Sequence, residues 1–162
     1  MQTKMTFPLI AILALDAIAL SMPSAAQTPA QHAAVLAVTD SVLAAINRGD
    51  RVAIADLMLP EAFTMSIRDS SRYTARTREQ VRAQQSTSVI EERGFRPTVH
   101  VAGPLAIVWL PYDIYVDRAW SHCGIDVFML VKSGTAWKVA SMAWTVEQPP
   151  ACERHPSGPP RR

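Results

Sequence analysis

The feature that most constrains this chain is the stretch from Leu105 to Glu147, which reads as three consecutive strands joined by two tight hairpins. The strands run Leu105–Val116, Trp120–Lys132 and Ala136–Glu147, and they hold most of the aromatic residues. β-Branched and aromatic runs of this length, broken only at Asp117-Arg118 or Arg118-Ala119 and at Gly134-Thr135, specify antiparallel hairpins. Set into the middle strand is a polar cluster, Ser121-His122-Cys123-Gly124-Ile125-Asp126. An unpaired buried polar group costs roughly 1–3 kcal/mol, so such a cluster implies partners, a cavity or a ligand.

The length of 162 residues suits one domain. A net charge of +2 and the absence of a long basic run argue against nucleic acid as a partner. Lys4, the apolar stretch Phe7–Leu20 and Ser24-Ala25-Ala26 together form a signal-peptide pattern over residues 1–26. The apolar stretch is shorter than the roughly 20 residues a membrane span needs. The expected mature chain starts near Gln27 and is periplasmic or secreted, with no membrane association after cleavage. Its domain covers residues 27–148, and a Pro-rich tail covers 149–162.

Two cysteines remain, Cys123 and Cys152. In an oxidising compartment such a pair forms a disulfide; the alternative is one buried thiol and one tail thiol. A bond would close a loop of about 30 residues and add roughly 3–4 kcal/mol. His32, His100, His122 and His155 show no ligand spacing with either cysteine, so neither metal nor cofactor is expected.

Before the hairpins, Thr28-Pro29-Ala30-Gln31 is a capping box, and Val35, Val38, Val42 and Ile46 follow at helical spacing up to Asn47-Arg48-Gly49. Asp50 caps a second helix carrying Val52, Ile54, Leu57 and Met58, which Pro60 ends. Phe63, Met65 and Ile67 alternate as in a strand, Arg72–Arg76 reads as another, and Thr77-Arg78-Glu79-Gln80 opens a third helix to about Ser86. Thr98–Ala102 is a strand and Gly103-Pro104 a turn. Seven arginines lie between Arg68 and Arg96. They read as a solvated surface, with an anion site at the mouth of a pocket as the alternative.

Side-chain parity follows from the turns. With two-residue turns throughout, one face of the hairpins carries Trp109, Asp113, Tyr115, Trp120, His122, Asp126, Phe128 and Trp137. The other carries Leu110, Tyr112, Ile114, Ile125, Val127, Met129, Met142 and Trp144. The first mixes aromatic and ionisable groups, as a binding cavity does. The second is apolar enough to imply a homodimer interface. His122 and Asp126 sit four residues apart on one strand, about 13 Å, too far for a direct pair. Asp113, opposite His122 in this register, is the better partner.

The element order, helix–helix–strand–strand–helix and then four antiparallel strands, resembles the nuclear transport factor 2-like superfamily, which includes the SnoaL-like polyketide cyclases. The local match lies in Trp109-Leu110-Pro111-Tyr112-Asp113-Ile114-Tyr115, in Ser121 to Asp126, and in Lys132 to Trp137-Lys138-Val139-Ala140. Cys152 followed by Ser157–Pro160 is also similar to an exported branch related to the lumazine-binding-like group. The resemblance implies an α+β fold, a cone-shaped curved antiparallel sheet packed against about three N-terminal helices. It implies a cavity whose deep Asp or His residues serve in the enzymatic members; here Asp113, His122 and Asp126 are the candidates. Trp109, Tyr115, Trp120 and Phe128 would line the ligand alongside His122 and Asp126.

Three functions follow. One is binding of a small apolar or aromatic ligand. Another is an isomerase, dehydratase or cyclase with His122 or Asp126 as general base; a non-catalytic homodimeric interaction domain is the third possibility. Arg118 stands where that branch has a turn glycine.

Overall fold

The computed structural model describes residues 28–160, so the signal-peptide segment lies outside the described residues. Helices α1 (Pro29–Asn47) and α2 (Arg51–Leu57) come first, then strands β1 (Met58–Ile67) and β2 (Tyr73–Thr77), then helix α3 (Arg78–Ala83). Five strands follow: β3 (Ile90–Gly94), β4 (Thr98–Ala102), β5 (Leu105–Val116), β6 (Ala119–Ser133) and β7 (Ala136–Thr145). Thr28 and Thr77 each cap a helix through a reciprocal box with the glutamine three residues on. The chain leaves α1 through Gly49 at φ 68°, a conformation that glycine adopts without a Cβ clash. Met58 to Pro60, expected to close the second helix, already belong to β1, and β3 replaces what the sequence leaves as a loop.

The sheet is ordered β2-β1-β7-β6-β5-β3, with β4 also on β5. All pairings are antiparallel except β1 with β7, so the sheet is mixed rather than purely antiparallel. The parallel pair arises because β1 enters the sheet from the helices while β7 returns from a hairpin. The concave face packs Val108, Leu110, Phe128, Leu130 and Val139 against Val35, Val42 and Ile46 of α1 and Ile54 of α2. Burying that much aliphatic surface at roughly 25 cal/mol per Å² is the main stabilising contribution.

The second hairpin turns at Gly134-Thr135 as expected, and the first turns at Asp117-Arg118, one of the two positions its sequence allows. Asp117 (φ 50°) and Arg118 (φ 65°) form a two-residue turn with both residues left-handed, so the arginine takes the conformation expected of a glycine. The Asp117 carboxylate supports this turn by accepting from the Val89 N–H. The parity sorting nevertheless fails, because each ladder contains a bulge. Ile114 pairs with His122 but Tyr115 pairs with Trp120, leaving Ser121 as an extra residue. Met129 pairs with Ser141 but Leu130 pairs with Val139, leaving Ala140 extra.

Each bulge flips the side chains beyond it. Leu110, Tyr112, Ile114, Met142 and Trp144, expected outside, share the concave face with His122 and Asp126. Trp109, Asp113, Tyr115 and Trp120, expected in the cavity, lie on the convex side.

On that side Cys123 and Cys152 are joined by a disulfide across 29 residues. It draws the tail over the end of β5 and β6. Asp113 is fully buried there, gripped by Arg93 at 2.9 and 2.6 Å and by the His155 N–H at 3.0 Å. Arg93 also donates to the Gly158 carbonyl at 2.8 Å, so the ion pair holds the tail down.

Gly124 is required by close approach. A Cβ there would sit 2.3 Å from the Thr145 carbonyl oxygen, a backbone atom. The same oxygen accepts from the Tyr112 hydroxyl at 2.7 Å, and the Thr145 hydroxyl accepts from the Ile125 N–H at 3.1 Å. Gly124→Ala should therefore push the end of β7 off the sheet and cost about 1–3 kcal/mol. Urea denaturation of the variant beside the parent protein measures this.

Candidate active site

A cavity of about 210 Å³ opens between the concave face and the helices. Ile46, Ile54 and Val81 contribute from the helices; Ile90, Ile114, Met142 and Trp144 contribute from the sheet. Its polar lining is Arg51 at the start of α2, Thr64 and Arg76 on β1 and β2, Gln84 after α3, Glu92 on β3, Tyr112 on β5, and His122 and Asp126 on β6. Of the residues the sequence nominates, His122 and Asp126 reach it. Phe128 points the same way but is fully buried in the core beneath.

The four convex-side residues have other tasks. Asp113 is fully satisfied by Arg93 and His155, so it is no partner for His122. Tyr115 and Trp120 stack edge to face at 5.6 Å, with Arg154 of the tail 4.0 Å above the Trp120 ring. Trp109 is 50% exposed on the bare part of the convex face.

The residue that parity reasoning misses is Glu92. Asn47, at the end of α1, fixes its backbone twice: Nδ2 donates to the Glu92 carbonyl at 2.9 Å and Oδ1 accepts the Glu92 N–H at 2.7 Å. The Glu92 side chain then meets Asp126 carboxyl to carboxyl within hydrogen-bonding range. Asp126 is only 3% exposed, and its Oδ2 has no donor from the rest of the protein. A carboxyl that keeps its proton becomes a hydrogen-bond donor, which an ionised pair lacks. Two ionised carboxylates side by side in a buried site would repel strongly, which also favours a retained proton.

The titration directions agree. Burial, then the neighbouring Glu92, raises Asp126 well above the ordinary carboxyl range. Burial pushes Glu92 up to about 7, against the pull of its hydrogen bond to Asp126 and of the Arg51 charge. Burial and then the Asp126 and Glu92 carboxyls raise the Tyr112 hydroxyl, which stays protonated and donates to Thr145. Burial and then Arg68 lower His122, leaving a neutral ring. The Ser121 hydroxyl lies 2.8 Å from its Nδ1, and Tyr112 packs edge-on at 5.8 Å. Among the described residues no group of His, Cys, Asp and Glu has a metal-binding arrangement.

The carboxyl pair links pH to stability. Its pKa values are raised in the folded state, so folding takes up protons between the ordinary Glu value of 4.5 and about 7. The contribution is fully present below that window and is lost as pH rises through it. At about 1.4 kcal/mol per pKa unit, the loss is on the order of 3 kcal/mol. Asp126→Asn should flatten this slope, because the amide donates to Glu92 at any pH. Urea midpoints of both proteins at pH 4.5, 6 and 7.5 provide the comparison.

No protein-family model matches the sequence, and no curated protein matches it significantly. Solved structures do. A protein of unknown function with a cystatin-like fold from Nostoc punctiforme aligns over 75% of this chain and 96% of its own, at TM-score 0.62 and 8% identity. A nuclear transport factor 2-like protein of unknown function from Pseudomonas putida aligns over 73% and 87%, at TM-score 0.61 and 14% identity. A ketosteroid isomerase-like protein from Erwinia carotovora atroseptica aligns over 75% and 100%, at TM-score 0.58 and 16% identity. At these identities the likeness establishes architecture and not activity: the chain has the nuclear transport factor 2-like fold.

Proposed function

We propose that the cavity binds a small, largely apolar molecule and performs general acid–base chemistry on it, with Glu92 and Asp126 moving the proton. The observation that carries this reading is the orphaned Asp126 Oδ2 beside Glu92 in an open cavity. A pair that keeps one proton near neutrality offers both functions at once. The ionised carboxyl takes a proton from carbon next to a carbonyl, and the protonated one donates to the oxygen where charge develops. Returning the proton elsewhere gives isomerisation; losing a β-hydroxyl as water gives dehydration. Neutral His122 offers Nε2 as a further polar contact. Likeness in fold to a ketosteroid isomerase-like protein is compatible with such chemistry.

Size narrows the ligand. About 210 Å³ is below the roughly 300–1,000 Å³ typical of drug-sized ligands, so one ring or a short chain fits and a polycycle does not. The buried Cys123–Cys152 bond suits an oxidising compartment and supports the exported reading.

The test is deuterium wash-in from D2O next to the carbonyl, followed by NMR over a panel of one-ring and short-chain carbonyl compounds, both neutral and acidic. Asp126→Asn and Glu92→Gln should each slow exchange by about 10²–10⁴-fold. Parent exchange no faster than the buffer, or variants as fast as the parent, would overturn the proposal.

A specific observation also favours self-association. On the convex face Trp109, Val127, Ala143 and Met65 form one row across four strands, and Ile107, Met129, Ser141 and Phe63 form the next. Trp109, Ile107, Met129 and Phe63 are all exposed. We propose that a second copy covers these rows about a two-fold axis. Val127→Lys, at the centre of the first row, should then yield monomers in sedimentation velocity. Monomeric sedimentation of the parent at micromolar concentration would contradict it.

A further inference from the structure

Five of the seven arginines between residues 68 and 96 are held by carboxylates: Arg72 by Asp69, Arg78 by Glu79, Arg82 by Asp56, Arg93 by Asp113 and Arg96 by Glu153. Arg76 is not. It leaves β2 opposite Thr64 and lines the cavity, as does a second arginine from outside that stretch, Arg51. Among the described residues neither side chain makes a hydrogen bond or an ion pair, and the Arg51 Nε is buried without an acceptor.

Two permanent positive charges therefore border a cavity whose carboxyl pair retains one proton and supplies about one negative charge. One positive charge is left over. An uncompensated cation in a partly dry site is costly, and a guanidinium with free N–H groups is the side chain best matched to a planar carboxylate.

We propose that the ligand is a monoanion, a one-ring or short-chain carboxylic acid whose carboxylate is held by Arg51 and Arg76 while its apolar body lies between Ile54, Val81 and Trp144. This rests on the cavity being the reactive site and adds the class of substrate. A neutral ligand leaves the surplus charge in place, a cation adds to it, and a dianion overshoots it. Two guanidinium groups on one carboxylate fix the ligand's direction in the cavity. The reacting carbon is thereby presented to Glu92 and Asp126 in one orientation.

Isothermal titration of the purified protein with benzoate and cyclohexanecarboxylate, set against benzamide and cyclohexanecarboxamide, tests this. Each acid should bind at least tenfold more tightly than its amide. Arg51→Met and Arg76→Met should each remove at least tenfold from the acids and leave the amides unchanged. Arg51→Lys and Arg76→Lys, which keep the charge, should recover part of the loss and control for folding. Amides binding as well as acids, acids indifferent to both methionine variants, or no binding by any of the four compounds would each overturn the monoanion. The proton-transfer reading is judged separately. Arginine-dependent acid binding without deuterium exchange would sink that reading and leave the anion site standing; exchange confined to neutral carbonyl compounds would do the reverse.

Discussion

One extra residue in a strand decides what this protein can be. Ser121 is squeezed out of the β5–β6 ladder, and every side chain on one side of it changes faces relative to an unbroken hairpin. With the bulge, His122 and Asp126 turn into the cavity, and Cys123 turns out to meet the tail. Without it, Asp113 would be carried into the cone and Tyr112 out of it. The cavity, the disulfide and the tail clamp all depend on that single insertion. The second bulge, at Ala140, makes the matching correction in β7, so that Met142 and Trp144 close the same wall as Val139.

This explains which parts of the molecule were legible in its sequence. Caps, turns and strand lengths are local: Thr28 with Gln31, Thr77 with Gln80, and the two turn dipeptides each carry their signal within four residues. The faces are not local. Leu105, Ile107 and Trp109 are as apolar as Ala106, Val108 and Leu110, so hydrophobic alternation cannot say which set is inside. Parity then has to be counted from the turn, and a bulge with no glycine or proline to mark it is invisible to counting. Gly124 was the available hint. A glycine in mid-strand signals close approach of another backbone, here Thr145, and so a sharply bent ladder.

Glu92 was hidden for a different reason. The segment Ile90-Glu91-Glu92-Arg93-Gly94 has neither strand alternation nor helical spacing, because its two sides serve different ends. Glu92 points at the cavity and Arg93 points at Asp113 under the tail. Only pairing with β5 makes it a strand, and only Asn47 fixes where its second glutamate sits. A position set by contacts 45 residues away leaves no periodic trace in the chain.

The two buried aspartates of the sheet show how satisfaction separates structure from chemistry. Asp113 has a bidentate arginine from β3 and a backbone N–H from the tail, and the same arginine reaches the tail through the Gly158 carbonyl. Removing it would leave Arg93 buried and unpaired, the costly half of a broken ion pair. Asp126 is nearly as buried, yet it faces another acid, and one of its oxygens has no donor from the rest of the protein. Nothing in folding requires that arrangement, since an apolar residue on β6 would pack against Leu110 and Trp144 at lower cost. A fold that provides one aspartate with every partner and sets another against an acid keeps unfavourable electrostatics at one wall of its cavity, and perturbed groups of this kind mark a candidate site.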